Sequence, residues 1–372
     1  DPAELKDRVR ALLPQITELR RSLHREPETR LEEHETSRRL RELAAVPGAE
    51  LEPAVLGTDV VGLLRGRGAA SAADRCVLLR ADIDALPIED RSGAPWASLH
   101  PGRSHACGHD GHMAILVGTL QVLSALRTRL AGSVRFVFQP AEEEAGGGKL
   151  LVERGLLDRP PRPAAVYALH GWPGLPAGSV AATPGPAMAG QDRFRITVEG
   201  QGGHGAAPHR AVDPVVAAAQ VISALQTVVS RSIDPVDPAV VSVCTIHGGT
   251  ASNVIPDRVV MEGTTRYFQP GVRQTLRSRL EQIVASTCAA AGARGVVEHS
   301  EGYIPGGNDP GQVDFLRQVV ARYLGEASWV PELPPTMGAE DFAFYLARVP
   351  GVFLRLGLGE RSANVHNPGF DF

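Results

Sequence analysis

Short apolar runs alternate with helical segments through the first half of the chain, and this alternation limits the possible folds more than any other feature. The runs have the length and apolar character of buried strands, and they lie at residues 60–64, 76–84, 133–140 and 164–171. The stretch from His109 to about residue 126 is predicted to be helical. Strands alternating with helices predict an α/β core with a largely parallel sheet flanked by helices. In such sheets, functional sites lie outside the carboxyl ends of the strands.

A different order of elements begins after the turn Pro184-Gly185-Pro186. The next segment is predicted to form strand, helix, strand, strand, helix and strand, which is the order of a compact, ferredoxin-like α/β sandwich. The first pattern then returns, with a helix at 311–324, a second helix beginning near Glu340 and a strand at 351–357.

This change of pattern predicts two domains. The chain has 372 residues, which is more than one compact core usually holds. We expect a larger domain of residues 1–186 and 304–372, interrupted by a smaller inserted domain of residues 187–303.

Composition excludes several classes of function. The 38 basic and 42 acidic residues nearly balance, so no nucleic-acid partner is expected. No apolar run has the roughly 18 residues needed to span a bilayer, so no membrane partner is expected either. The four cysteines are too scattered for a disulfide framework, and we expect a cytoplasmic protein in which Cys76, Cys244 and Cys288 are buried.

The segment SHACGHDGH (104–112) combines one Cys, three His and one Asp just before a predicted helix. Cysteine thiolate and imidazole are ligands that zinc and similar ions prefer. A helix N-terminus also stabilises a thiolate. Cys107 and His109 are therefore candidate metal ligands, the alternative being a polar loop with one buried cysteine. His105 and His112 are predicted to lie around the site or on the surface rather than to bind metal.

Other candidates follow predicted strands or lie in loops. Glu142 and Glu143 belong to an acidic triplet after the strand at 133–140, and two adjacent carboxylates could divide the roles of metal ligand and general base. The alternative is a solvated acidic turn. His170 ends another strand, and His366 lies in the loop NVHNPGF. Taken alone, either histidine is more often structural.

Acidic residues also end the strand CVLLRADID. Asp82 and Asp84 suit carboxylates that accept the free N–H of a metal-bound histidine, although a plain turn is the alternative. In the smaller domain, glycines surround His204 and would let a ligand approach the backbone. Asn253 and Arg266 could hold a carboxylate, or could be ordinary surface groups.

Taken together, these motifs resemble one family along nearly the whole chain, from about residue 20 onward. The motifs in order are RADIDALPI, HACGHDGH, FQPAEE, LHG, GGHGAAPH, DPV, SNVIPD, GTTR, MGAEDF and VHNPGF. The chain is similar to the di-metal amidohydrolases that include hippurate hydrolase, indoleacetyl-amino-acid hydrolases and N-acetyl-diaminopimelate deacetylase. These belong to the aminoacylase and glutamate carboxypeptidase superfamily of metallopeptidases. The resemblance implies a metal-binding catalytic domain interrupted by a smaller lid or dimerisation domain.

The resemblance also implies a set of metal ligands. Cys107 would be shared by two ions, with His109 and His170 completing one site and Glu143 and His366 completing the other. The resemblance thus implies two divalent ions per chain. Zinc is the expected metal for ligands of the Cys, His and Glu types, with manganese, cobalt or nickel as alternatives.

Further roles follow from the same resemblance. Glu142 would be the general base, and His204 would reach a partner subunit's active site to stabilise the oxyanion. Asn253 and Arg266 would hold the substrate's carboxylate. The wider superfamily has a histidine ligand where this chain has Asp82, so Asp82 is expected outside the ligand set, together with Asp84.

The expected activity is metal-dependent hydrolysis of the amide bond of an N-acyl amino acid, in a homodimer or a dimer of dimers. The alternative within enzymes is a di-metal exopeptidase that cuts dipeptides or aryl-glutamates. A binding protein with a merely structural metal site is the alternative from another class, and it would require neither an open metal position nor a base such as Glu142. The sequence leaves open the acyl group, the amino acid and its chirality.

Overall fold

A computed structural model provides the fold, and it describes residues 2–68, 75–331 and 333–372. The α-helices in these residues are α1 (Pro2–Arg25), α2 (His34–Ala44), α3 (His109–Ala125), α4 (Gly147–Glu153), α5 (Pro214–Ser232), α6 (Pro270–Ala290), α7 (Pro310–Tyr323) and α8 (Ala343–Leu346). The first group of strands is β1 (Ala49–Leu51), β2 (Val60–Arg65), β3 (Cys76–Asp82), β4 (Ser133–Gln139), β5 (Ala165–Trp172), β6 (Val180–Ala181) and β7 (Gly185–Met188). The remaining strands are β8 (Gly190–Glu199), β9 (Gly203–His204), β10 (Ala239–Gly248), β11 (Val254–Ile255), β12 (Arg258–Tyr267), β13 (Arg294–Glu301), β14 (Gly306–Asn308) and β15 (Gly351–Gly357).

The larger sheet has seven strands in the order β1-β2-β4-β3-β5-β15-β6. The central strands β4, β3, β5 and β15 run parallel to one another. Strands β1, β2 and β6 pair antiparallel at the two edges. The predicted α/β class with a mixed, centrally parallel sheet is thus confirmed. The carboxyl ends of the four parallel strands meet at one edge of the sheet, called the carboxyl edge below.

Helices α1, α2 and α3 pack on this sheet through one apolar cluster. Its buried members include Leu23 of α1, Leu40 of α2, Val117 of α3 and the β4 residues Phe136 and Phe138. Burying a side chain of this size contributes roughly 1.5–3 kcal/mol. The cluster therefore holds α3, and with it the first turn of that helix, firmly against the sheet.

The smaller sheet has four antiparallel strands in the order β10-β12-β8-β13. Helices α5 and α6 pack on it, with Leu225 and Leu276 buried against Ile196 and Met261 of the sheet. Along the chain the order is β8, α5, β10, β12, α6 and β13. This is the predicted ferredoxin-like order, and the helices use the apolar periodicity that the sequence shows.

Helix α5 begins where an Asp-Pro pair predicts a helix start. Asp213 is the N-cap, and its Oδ1 accepts a hydrogen bond from the Val215 N–H at 2.8 Å. Pro214 occupies the first helical position, where its missing N–H costs nothing. Helix α7 begins in the same way after Asp309.

Helix α5 is also the one helix in the described residues that is long and apolar enough to cross a membrane, by length and composition alone. Its face with Ala217, Val221, Leu225 and Val228 is buried in the core of the smaller sheet. Packing on the sheet therefore accounts for the apolar content of this helix.

The helix predicted to begin near Glu340 begins at Ala343 instead, and α8 covers only Ala343–Leu346. The side chains of Glu340 and Asp341 bind a buried arginine, and Glu340 Oε1 also accepts from the Phe342 N–H at 3.0 Å. These contacts hold the two acidic residues in a loop. The short strands β1, β6, β7, β9, β11 and β14 were not predicted from the sequence. The prediction that Cys244 is buried is wrong, because its side chain on β10 is exposed.

The chain divides into two compact units. One contains Asp1–Ala187, Gly306–Pro334 and Glu340–Phe372, and the other contains Met188–Pro305 and Pro335–Ala339. The segment Pro335–Ala339 thus groups with the smaller unit, whereas the sequence pattern had placed it in the larger domain.

Candidate metal centre

Side chains from several elements meet at the carboxyl edge of the larger sheet. Strand β3 ends at Asp82, strand β4 leads into Glu142 and Glu143, and strand β5 carries His170 near its end. Helix α3 begins at His109. Parallel strands bring these distant segments together because their carboxyl ends lie side by side.

Cys107 is common to two groups of potential metal ligands. Its Sγ lies within 4.8 Å of ring nitrogens of His109 and His170, and a second group of the same size joins it to Glu143 and His366. Cys107 Sγ lies 3.4 Å from His170 Nε2, and His366 Nε2 lies 3.1 Å from Glu143 Oε1. The structure therefore brings together the five residues to which the resemblance assigns metal binding.

His109 has the hydrogen-bond pattern expected of a metal-binding imidazole. Its Nδ1 lies 2.8 Å from the Asp84 backbone carbonyl, to which it can donate. Its Nε2 is buried and has no hydrogen-bond partner among the described residues, with carboxylate oxygens of Asp82 and Glu143 at 3.6 and 3.9 Å. Metal-bound histidines commonly donate their second N–H in this way, which directs the other nitrogen toward the ion.

His170 and His366 differ in their exposure. His170 is buried, and its Nδ1 donates to the Gly171 carbonyl at 2.7 Å, which leaves Nε2 beside Cys107. Burial lowers the pKa of His170 well below its ordinary value. The His366 side chain is 51% exposed, and the Glu143 carboxylate beside it raises its pKa. The group of Cys107, His109 and His170 is thus buried and is called the enclosed ligand group below. The other group includes the solvent-exposed side chain of His366.

The charge around the cluster favours a cation. Burial alone would lower the pKa of His109, but Asp82, Asp84 and Glu143 raise it to about 10. Burial, and after it the neighbouring carboxylates, raise the pKa of the Cys107 thiol well above its ordinary value. The shift of the His109 pKa means that the carboxylates around the cluster attract positive charge, and the same carboxylates add to the effect of burial on Cys107. Divalent ions would supply that charge, so these residues fit two metal ions by donor type and by electrostatics.

Asp82 connects the cluster to a second histidine behind it. His112 Nδ1 lies 2.6 Å from Asp82 Oδ1, and His112 Nε2 accepts a hydrogen bond from the Gly171 N–H at 2.8 Å. His112 Nδ1 therefore carries the proton that Asp82 accepts. Burial would raise the pKa of Asp82, but the histidines and Arg80 hold it well below its usual range. This imidazole joins the end of β3 to the backbone beside His170.

Arg80 is a buried guanidinium that binds carboxylates from distant parts of the chain. It donates to Asp82 at 2.6 Å, and to Glu340 and Asp341 at 2.9 Å each. Its Nε also donates to Gln139 Oε1 at 3.0 Å. The guanidinium thus fixes the ends of β3 and β4 to the loop before α8.

Glu142 lies between this acidic loop and the ligand cluster. It is buried, and its carboxylate belongs both to a group with His109 and Glu143 and to a group with Glu340 and Asp341. Burial, and after it the Glu340 and Glu143 charges, raise the pKa of Glu142 well above its ordinary value. A carboxyl that binds a proton readily beside a metal cluster can act in proton transfer.

The three remaining predicted residues lie in the smaller unit. His204 and Asn253 are exposed and adjacent: His204 pairs with Val254 across β9 and β11, and the Gly205 N–H donates to the Asn253 carbonyl at 2.8 Å. His204 Nδ1 accepts from the Ala206 N–H at 3.0 Å, so its Nε2 carries the proton in the neutral ring.

Arg266 lies on β12, half-buried, and has no acidic partner among the residues that the structure describes. Burial, and after it the charge of Arg193, lower the pKa of Arg266. An unpaired guanidinium beside a second one is suited to bind an anion.

Three residues around the cluster were not predicted as parts of the site: Arg80, Glu340 and Asp341. Sequence signals did exist. Arg80 interrupts an otherwise apolar strand, and a charge inside a buried strand needs partners. The pair Glu340-Asp341 precedes an aromatic run, so its carboxylates were candidates for those partners. The sequence alone could not pair them, because 260 positions separate Arg80 from Glu340.

Comparison with known proteins identifies the family. The profile of Peptidase family M20/M25/M40 matches residues 78–372. N-acetyl-L-cysteine deacetylase of Bacillus subtilis is 39% identical over 356 residues, which are 96% of this chain and 83% of that protein. IAA-amino acid hydrolase ILR1-like 4 of Arabidopsis thaliana is 38% identical over 361 residues, 95% of this chain and 80% of that protein. Thermostable carboxypeptidase 2 of Saccharolobus solfataricus is 38% identical over 358 residues, 95% of this chain and 88% of that protein.

A solved structure shows the same fold. The Bacillus subtilis YXEP protein, described as a dinuclear metal binding peptidase from the M20 family, superposes with a TM-score of 0.83 at 34% identity. The match covers 98% of this chain and 93% of that one. The chain therefore belongs to peptidase family M20/M25/M40 and is a hydrolytic enzyme.

Proposed function

We propose that the enzyme hydrolyses the amide bond of N-acyl amino acids, with acetyl, benzoyl or aryl-acyl groups as the acyl part. The observation that carries this proposal is the position of Cys107 in both ligand groups, with the buried Glu142 carboxyl beside them. A structural metal site would need no such carboxyl. The deacetylase and the IAA-amino acid hydrolase act, by their names, on amides of amino acids, which supports this substrate class.

In this proposal Cys107 is shared by two divalent ions. His109 and His170 complete one site, and Glu143 and His366 complete the other. When bound, such a pair of ions supplies an activated water and polarises the scissile carbonyl. We propose zinc as the native metal, with manganese, cobalt or nickel as the alternatives that elemental analysis would distinguish. A reducing compartment such as the cytoplasm would keep Cys107 available as a ligand.

Glu142 is proposed as the general base. It accepts a proton from the attacking water and then delivers it to the leaving nitrogen, which requires a group that gains and loses a proton beside the cluster. Asp82 and Asp84 do not take this role, because Asp82 is committed to Arg80 and His112 and Asp84 accepts from the Glu143 N–H at 3.1 Å.

The smaller unit is proposed to bind and polarise the substrate. His204 has its ring proton on Nε2, where it can donate to an oxyanion, and Arg266 with Asn253 would hold the substrate's carboxylate. We propose a homodimer, alone or as a dimer of dimers, in which His204 of each chain serves the partner subunit.

The substrate proposal is tested by a hydrolysis panel. We expect N-acetyl-, N-benzoyl- and arylacetyl-amino acids to release the free amino acid with at least about tenfold higher kcat/KM than dipeptides or aryl-glutamates. The matched control is an N-acyl amine without the α-carboxylate, which should react about 10–100-fold more slowly because a charge-assisted hydrogen bond of roughly 1.5–3 kcal/mol is lost. Faster release from dipeptides would instead support the exopeptidase alternative, for which the carboxypeptidase relative provides the precedent.

The ligand assignment predicts that Cys107→Ala loses metal. Because Cys107 belongs to both groups, its loss should reduce the metal content to less than one ion per chain after dialysis, measured by elemental analysis. Cys288→Ala is the control, since Cys288 is equally buried but lies in the core of the smaller unit. Two ions retained in Cys107→Ala would exclude a shared cysteine ligand.

The base assignment predicts that Glu142→Gln keeps its metal and loses turnover. Removing a general base commonly lowers kcat by about 10²–10⁴-fold. Glu144→Gln is the matched control, because Glu144 is the exposed neighbour in the same acidic triplet and pairs with Arg30. Steady-state kinetics and metal analysis on both variants give the result, and full activity in Glu142→Gln would overturn the assignment.

The role of His204 in the partner subunit predicts rescue in mixed dimers. Chains with Glu142→Gln and chains with His204→Ala are each inactive, but a hybrid has one site in which both residues are intact. Random reassembly of equal amounts should restore about one quarter of the wild-type activity in a two-fold dimer. The mixture is compared with each variant reassembled alone, and hybrids that form, as mass spectrometry would show, without regaining activity would contradict the role.

A further inference from the structure

The ring of Phe372 lies against three glycines. A Cβ added at Gly108 would lie 2.7 Å from Phe372 Cδ2, one at Gly111 would lie 2.5 Å from Cγ, and one at Gly171 would lie 2.6 Å from Cε2. Real Cβ atoms do not approach other atoms this closely. The ring can therefore occupy its place only because all three positions lack a side chain.

Two of these glycines are next to candidate ligands in the chain. Gly108 separates Cys107 from His109, and Gly171 directly follows His170. The ring contacts both backbone segments that carry the enclosed ligand group. It also contacts the first turn of α3 through Gly111.

Phe372 contacts the bridging imidazole as well. Its ring meets the His112 ring edge-on, with centroids 5.7 Å apart and an interplanar angle of 82°. His112 is the side chain that links Asp82 to the Gly171 N–H. One aromatic ring thus lies against the backbone beside Cys107, His109 and His170 and against the imidazole that links Asp82 to Gly171.

The neighbouring residue anchors the ring. Asp371 forms an ion pair with Arg20 at 2.5 Å and accepts a hydrogen bond from Trp96 Nε1 at 3.1 Å. Arg20 Nε also lies 2.8 Å from Asp110 Oδ2, immediately after His109 in the chain. The same arginine therefore ties the segment with Phe372 to the start of α3.

We propose that Phe372 is a positioning residue of the metal centre, which sets the spacing between the Cys107–His109 segment and the His170 segment. This inference rests on the metal-binding role of those residues proposed above. Glycines permit many backbone conformations, so the segments around Gly108 and Gly171 need an outside contact to hold one of them. The flat ring supplies that contact, and preorganised ligands bind an ion more tightly than mobile ones.

The first test compares Phe372→Ala and Phe372→Leu with the wild type. The dissociation constant for Zn²⁺ is measured by competition with a chromophoric chelator, independently of turnover. We expect about a 10–100-fold weaker Zn²⁺ affinity for Phe372→Ala, the range found for residues that orient metal ligands. Phe372→Leu should recover part of the loss, because leucine refills part of the volume without the flat face.

Phe315→Ala is the control, since Phe315 is an exposed phenylalanine, 54% accessible, on α7. It should leave the Zn²⁺ affinity unchanged. Denaturant unfolding of the metal-free proteins separates positioning from general stability. If Phe372 is a positioning residue, its substitution should weaken Zn²⁺ binding by more than the change in the unfolding midpoint of the metal-free protein explains.

The second test uses the glycine partner. Alanine is favoured over glycine inside a helix, so Gly111→Ala in α3 would ordinarily be tolerated. Here the new methyl group displaces the Phe372 ring, and we expect Zn²⁺ affinity to fall as in Phe372→Ala. In the double variant Gly111→Ala/Phe372→Ala the losses should not add, because the second substitution removes the clash. Additive losses would overturn the proposal.

Wild-type binding distinguishes this inference from the proposed function. If wild-type protein fails to bind two ions per chain, the proposed function is wrong. If it binds two ions and Phe372→Ala, Phe372→Leu and Gly111→Ala bind them equally tightly, the positioning role of Phe372 is wrong and the proposed function stands. If Phe372→Ala does not fold, Phe372→Leu and Gly111→Ala give the same decision.

Discussion

The interior at the carboxyl edge gathers several carboxyl groups around the buried guanidinium of Arg80, and the rest of the site depends on this. Arg80 binds Asp82, Glu340 and Asp341. Further carboxylates, Glu142 and Glu143 among them, lie within reach of the same cluster. Unpaired buried charge is costly, so such carboxyls bind protons or attract cations. Two divalent ions held by the proposed Cys, His and Glu ligands would supply those cations and the chemistry of a hydrolase.

Two backbone positions at the site support the same view. Ala141, just before Glu142, has a φ of 57°, and His366 has a φ of 62°. Residues with a side chain rarely adopt this left-handed conformation, and it persists only where surrounding contacts hold it. Ala141 is held by its N–H bond to Glu33 Oε1 at 3.1 Å, and His366 by its N–H bond to the Ala106 carbonyl at 2.7 Å. The chain accepts strain where it presents the proposed base and one of the proposed ligands.

Patterns among residues close in the chain predicted the main helices and strands. The contacts that were missed join residues far apart in the chain. The apolar periodicity predicted the main helices and strands, because each follows from residues close in the chain. Cys107 and His109 were recognisable from their own segment, whereas His170 and His366 depended on the family pattern. Arg80 and Glu340 were missed as partners, because only the parallel sheet brings residues so distant together. The helix predicted near Glu340 begins later, at Ala343, because Arg80 holds the Glu340 side chain in the preceding loop.

Burial, charge and position together suit Glu142 to proton transfer. A guanidinium can bind several carboxylates at once, and here Arg80 holds the side chains of Glu340 and Asp341 in place. Glu142 lies within reach of both carboxyls, and burial together with the surrounding charges raises its pKa. Burial raises the pKa of Glu340 and of Asp341 as well, but both of these side chains bind Arg80 in the loop before α8. Glu142 also lies in one group with His109, so among the acids with a raised pKa it is the one beside the proposed metal ligands.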